Sequence, residues 1–247
     1  MLHLLPLALV GFAAGAQNAI AGGGAFLIFP ALLMVGLDAR AANVTSTLAL
    51  FPGQVTTGIA GRRLLSGTPA LRFRWLAGIS LVGGVMGALL LLATPPAFFE
   101  RLVPWLILFA TGVFAYGSFF RSNADGGVRI GRRGSVAAQS LISVYGGYFG
   151  GGIGFLMLAA LTLAGLEVRR AAATKNVLAA AMNASAVMVF APSPAVAWLP
   201  ALAVGLGAIG GGQVGAWMLR RVDERTLRYG VICVGVALTV AMFVRAA

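Results

Sequence analysis

The chain is an almost unbroken succession of apolar runs separated by short loops, and this succession decides its solvent. The runs are Leu4–Ala21, Ala25–Val35, Ala41–Ile59, Trp75–Ala93, Leu102–Phe120, Ser135–Phe149, Ile153–Ala164, Ala171–Phe190, Trp198–Leu219 and Leu227–Val244. About 20 apolar residues span a bilayer as a helix, so most of these runs are of crossing length. Only 10% of the 247 residues are charged and 60% are hydrophobic, against about 25% charged in a soluble domain. Too little polar surface remains to coat a water-soluble body. The reading is an all-α polytopic membrane protein, a single transmembrane domain over 1–247.

The same composition removes several chemistries. The one histidine is His3 and the one cysteine is Cys233, so His/Cys metal sites and Ser–His or Cys–His catalysis have no partners to work with. The six acids (Asp38, Glu100, Asp125, Glu167, Asp223 and Glu224) all fall at or between apolar runs. No carboxylate is placed at membrane depth for a metal, a proton relay or glycosidase chemistry. No catalytic residue, metal or cofactor is expected, and the reading is not an enzyme. The formal charge of +12 sits in loops between apolar runs, which marks membrane orientation and not nucleic acid. Ala14-Gly15-Ala16 imitates a signal-peptide cleavage site, but no basic segment precedes it.

Two pairs of runs are divided by glycine triplets, Gly22-Gly23-Gly24 and Gly150-Gly151-Gly152. Each pair is one long crossing, or a hairpin that enters and leaves on one side. If both pairs are hairpins, fifteen of the eighteen Lys and Arg residues share one side, with Arg40, Arg101 and Arg245 opposite. If the second pair crosses, the split becomes nine to nine. Cytoplasmic loops carry the excess of positive charge, so hairpins are predicted, with both termini extracytoplasmic in the inner membrane and a cytoplasmic linker over 121–134.

A shift of 129 residues aligns the two parts of the chain. Gly22-Gly23 falls on Gly151-Gly152, Phe26-Leu27 on Phe155-Leu156, Gly36-Leu37-Asp38 on Gly165-Leu166-Glu167, Arg40 on Arg169 and Thr45 on Thr174. At a shift of 128, Gly83, Gly84 and Gly87 meet Gly211, Gly212 and Gly215. The predicted architecture is an inverted repeat of two halves (1–120 and 135–247), each a glycine-tipped hairpin followed by three transmembrane helices. Three crossings is an odd number, so the second half starts from the opposite side. Such repeats recur in transporters, with the site near the midplane where the halves meet.

Within that frame the triplets acquire a role. A hairpin tip inside the membrane leaves backbone groups without helical partners, which is tolerated only against protein or a wet cavity. Each triplet precedes a short helix whose N-terminus would point at the membrane centre with free N–H donors and partial positive charge. Gly22, Gly23, Gly24, Gly150, Gly151 and Gly152 are therefore candidate anion-cradling positions; the simpler reading is close helix packing. Asn43, Thr47 and Gln54 fall on nearly one helix face, and the shift sets Asn176 and Asn183 opposite Thr47 and Gln54. These line a polar path or hydrogen-bond between helices. Gln17 and Asn18 precede the first tip, and Tyr145 and Tyr148 the second, as candidate cavity donors. Gln213 divides evenly between packing and site. Lys175, the only lysine, lies between Thr174 and Asn176; it snorkels to the cytoplasmic interface or offers a mobile cation to an incoming anion.

The stretch Asn18-Ala-Ile-Ala-Gly-Gly-Gly-Ala-Phe-Leu-Ile-Phe-Pro30 and its echo Tyr145-Gly-Gly-Tyr-Phe-Gly-Gly-Gly-Ile-Gly-Phe-Leu resemble the sulfite exporter TauE/SafE family of bacterial membrane permeases. The resemblance runs over essentially the whole chain, although Ala159 stands where the first copy has Pro30. It implies transport of a small anion such as sulfite, sulfoacetate or another organosulfonate. The partners implied are that anion and the lipid bilayer, with homo-oligomerisation left open. An anion channel and a non-transporting membrane subunit are the rival readings.

Overall fold

The computed structural model describes residues 4–20, 22–119 and 130–218, together with 236 and 240. Within them the chain forms nine α-helices and one 3-10 turn. They are α1 (Leu4–Ile20), α2 (Ala25–Met34), α3 (Ala39–Gly61), α4 (Phe73–Ala93), α5 (Pro96–Phe119), α6 (Arg132–Tyr148), α7 (Ile153–Leu163), α8 (Val168–Phe190) and α9 (Trp198–Met218). The only strand-like pairing among the described residues is an isolated bridge between Thr68 and Leu71. Apart from residues 236 and 240, the expected last crossing, Leu227–Val244, lies outside the described residues, as do residues 121–129 of the expected linker.

Several helices begin before their apolar runs do, because caps and first turns are polar. Asp38 caps α3, its Oδ1 accepting the Ala41 N–H at 2.9 Å, so α3 starts two residues ahead of Ala41. Pro96 opens α5, well ahead of Leu102, where a missing N–H leaves no helical bond unmade. Arg132 and Arg169 fall inside the first turns of α6 and α8. Helices α4, α9 and the stretch Pro96–Val113 of α5 are long and apolar enough to cross a membrane. Helices α3 and α8, of 23 residues each, have the length, about 34 Å, but carry polar stripes.

Helices α2 and α7 have 10 and 11 residues, about half a bilayer at 1.5 Å per residue. Both end in the same way. Gly36 and Gly165 each take a φ of +95°, and the following Leu37 and Leu166 donate back to Leu32 and Leu161. This is the Schellman closure, for which glycine is the natural residue. It recurs at the repeat offset.

Packing partners also pair up. Helix α1 lies along α9 and α6 lies along α4, while α3 packs on α9 and α8 on α4. At both long seams glycine permits backbone contact. A Cβ at Gly11, Gly15, Gly207, Gly211 or Gly215 would strike a carbonyl across the α1–α9 seam, and one at Gly87 or Gly147 would do so across α4–α6. Close small-residue packing of this kind holds helices together where no hydrophobic effect acts between them. Helices α3 and α8 also cross and pack on each other.

Candidate functional site

The crossing of α3 and α8 carries a side-chain pair. Asn183 Nδ2 donates to Gln54 Oε1 at 2.6 Å, between residues 129 apart, the repeat offset itself. Both side chains are buried, and Asn183 Oδ1 has no partner among the described residues. An unpartnered buried oxygen is uncommon and asks for an explanation.

The pair borders a small cavity of about 10 Å³, lined by Asn18, Gly23, Ala25, Ser46, Thr47, Leu50, Gln54, Gly150, Ile153 and Asn183. That is room for about one water molecule. Gly23 and Ala25 stand at the start of α2, and Gly150 and Ile153 at the start of α7, so the ends of both half-length helices border one polar space. The tips touch reciprocally. A Cβ on Gly22 would lie 2.8 Å from Gly154 Cα; Phe155 packs on Gly23, and its repeat counterpart Phe26 packs on Gly151 and Gly152. Gly22, Gly23, Gly150 and Gly152 have φ between +74° and +85°, a region that a side chain would strain.

Two neighbouring hydroxyls are committed elsewhere. Ser46 Oγ and Thr47 Oγ1 donate to the Asn43 carbonyl at 2.9 and 3.1 Å. Gln17 Nε2 is buried without a partner among the described residues, about one turn ahead of the first tip.

Other predicted residues serve the second tip instead of the cavity. Asn43 Nδ2 donates to the Tyr148 carbonyl at 2.9 Å, and the Tyr145 hydroxyl donates to the Gly151 carbonyl at 3.0 Å. Both bonds satisfy tip carbonyls that helical geometry leaves open. The Tyr148 ring packs edge-on against Phe99, with centroids 5.5 Å apart. A second cavity of about 10 Å³ lies beside this tip, walled by Ala25, Phe26, Phe29, Asn43, Ile107, Phe149 and Gly151.

The structure keeps Thr174, Lys175 and Asn176 away from both cavities. Thr174 bonds the backbone of Ser66. The backbone of Asn176 lies beside Gly58. Lys175 is only 2% exposed, so it does not extend into the interface. It shares the α8 stripe of Ala171 and Leu178, which belong to an apolar cluster with Leu76, Ile142 and Met157. Among the described residues no ion pair accompanies it.

Ser46 and Leu50 escaped the sequence reading, although the α3 stripe Asn43, Thr47, Gln54 passes through them at i+3 and i+7. A polar network between α4 and α6 escaped it too. Gln139 Nε2 donates to Ser80 Oγ at 2.8 Å, and Ser143 Oγ donates to the Gln139 carbonyl at 2.6 Å. The signal was a polar stripe at i and i+4 inside a run counted as apolar.

Among the described residues no group of three or more His, Cys, Asp or Glu could hold a metal. A family model described as Sulfite exporter TauE/SafE matches residues 7–242. A probable membrane transporter protein of Haemophilus influenzae is 29% identical over 236 residues, covering 94% of this chain and 91% of that protein. Probable membrane transporter protein ORF9 of a Sinorhizobium species is 31% identical over 245 residues, covering 97% and 92%. Probable membrane transporter protein YfcA of Escherichia coli is 24% identical over 234 residues, covering 93% and 86%. No solved structure gives a significant match.

Proposed function

The chain belongs to the sulfite exporter TauE/SafE family, and on that premise we propose that it is a secondary transporter moving a small oxyanion by alternating access. Sulfite, sulfoacetate or a related organosulfonate is the cargo, and the bacterial inner membrane is the setting. The observation that carries this reading is the shared polar cavity: the starts of two half-length helices and the Gln54–Asn183 pair meet at one buried space. Helix starts offer N–H donors and partial positive charge. Asn18 and the Gln54 and Asn183 amides add side-chain donors to the same site, and the Ser46 and Thr47 hydroxyls join them once turned from the Asn43 carbonyl. Neutral donors can release an anion as readily as they bind it.

The two halves are read as an inverted repeat. Reciprocal helix seams, the matched Schellman ends of α2 and α7, and a central hydrogen bond between residues one repeat apart support that reading. The charge distribution supports cytoplasmic placement of the loop at Arg62 and Arg63, with both termini outside. At about 10 Å³ the cavity is smaller than any sulfur oxyanion, so it has to widen to admit cargo. Cargo enters when one half moves against the other.

Purified protein in proteoliposomes, offered sulfite, sulfoacetate, sulfate and short carboxylates, tests the function. Saturable flux of a sulfur oxyanion is expected. Asn18→Leu and Thr47→Val should each lower it about tenfold while leaving the protein folded, since each removes a polar group from the cavity. Absence of flux for every anion would overturn the reading in favour of a non-transporting subunit.

A further inference from the structure

Helix hydroxyls in this protein mostly bond their own helix. Ser46, Thr47, Thr57, Ser80 and Ser143 all donate to a carbonyl three or four residues back, the usual local alternative for serine and threonine. Thr45 and Thr174 instead bond the backbone of distant segments. Thr45 Oγ1 accepts the backbone N–H of Ala197 at 3.1 Å, across 152 residues. Thr174 Oγ1 accepts the N–H of Ser66 at 3.3 Å and donates to the Ser66 carbonyl at 3.2 Å, across 108 residues. Both side chains are completely buried.

The arrangement is reciprocal. Thr45 and Thr174 are 129 residues apart, each in the early turns of a crossing helix, α3 or α8. Each holds the non-helical segment that follows the other crossing helix: Ala197 comes after α8, and Ser66 comes after α3 and its 3-10 turn. The two contacts flank the Gln54–Asn183 crossing. In α3, position 45 precedes Gln54 by nine residues, about 13 Å along the axis; in α8, position 174 precedes Asn183 by the same number. Because α3 and α8 run antiparallel through the crossing, with Gly58 beside Val177 and Gly61 beside Ala173, the two contacts lie toward opposite ends of the pair.

We propose that Thr45 and Thr174 are paired latches, and that releasing one at a time opens the central cavity to one membrane face. The proposal rests on the alternating-access reading above. A hydroxyl suits this task. It holds the neighbouring segment by hydrogen bonds while that end is dry, and water replaces those bonds when the end opens, so the change is small and reversible. The Thr174 contact makes two bonds and the Thr45 contact one. The end at Ser66, on the side of Arg62 and Arg63, is therefore held more firmly.

Cysteine accessibility tests this. Leu50, which lines the cavity, is replaced by cysteine in a Cys233→Ser chain. Labelling by a membrane-impermeant methanethiosulfonate is then timed from each face in oriented vesicles. Thr174→Val preserves side-chain shape and should speed labelling roughly tenfold, only from the face carrying Arg62 and Arg63. Thr45→Val should speed it roughly threefold, only from the opposite face. Thr174→Ser and Thr45→Ser, which restore the hydroxyl, should return the parent rates. A parent slow from both faces whose valine variants label at unchanged rates, or equally faster from both faces, overturns the latches alone. A parent that labels rapidly from both faces overturns alternating access and the latches with it.

Discussion

At the scale of single residues, the Gln54–Asn183 bond sets stability against use. Either partner replaced by leucine leaves a buried amide unpaired, a loss of about 1–3 kcal/mol, whereas replacing both removes the unpaired group. Thermal unfolding in detergent should show Gln54→Leu and Asn183→Leu each lowering the melting temperature and the double variant recovering most of it. Transport should stay low in all three; a double variant that regains transport would remove the pair from the site. Lys175 invites the opposite sign. A buried cation without an ion pair among the described residues is costly. Lys175→Met should therefore raise the melting temperature, and should lower anion flux if the lysine draws the anion inward. Unchanged flux with raised stability would leave Lys175 outside the transport path. Its burial could not be read from sequence, where a lysine near a helix start looks interfacial. The surroundings on α4, α6 and α7 come from distant parts of the chain.

Among the helices, glycine has two separable duties. At the tips and helix ends it supplies backbone conformation; along α1–α9 and α4–α6 it supplies close approach. Gly36→Ala and Gly165→Ala place a Cβ at a φ of +95°, and each should cost about 1 kcal/mol. Gly211→Val or Gly87→Val puts a branched side chain against backbone and should abolish recovery of monodisperse protein by size exclusion. Gly78→Val and Gly112→Val, where an added Cβ meets nothing within 4 Å among the described residues, should be tolerated; equal losses at all four would refute the seam. Helix identity was legible from the apolar runs, and the half-length α2 and α7 from the triplets. Helix starts were not, because Asp38, Pro96 and Arg132 are polar or conformationally special and interrupt an apolar count. The polar stripe of α3 was legible at Asn43, Thr47 and Gln54. The α6 stripe at Gln139 and Ser143 was missed because its partner, Ser80, belongs to a helix distant in sequence.

For the whole molecule, the spacing of repeated motifs indicated which positions correspond, but not which of them touch. That Gln54 meets Asn183, or that Phe26 and Phe155 exchange places against the opposite tips, follows only once the halves are packed. We infer the membrane orientation from the distribution of positive charge among the loops. Reporter fusions after Arg63 and at Ala247 should read cytoplasmic and extracytoplasmic respectively; the reverse at both would invert the assignment of latches to faces.

The central claim is that one polar cavity between the two short-helix starts exchanges an anion between two faces. Counterflow tests it most directly: proteoliposomes preloaded with unlabelled sulfite or sulfoacetate are diluted into a trace of the labelled anion. The account predicts saturable uptake, stimulated by the internal anion and lost in Gln54→Leu. Uptake that rises linearly with concentration and ignores the internal anion would contradict it, because a continuous pore would then carry the flux.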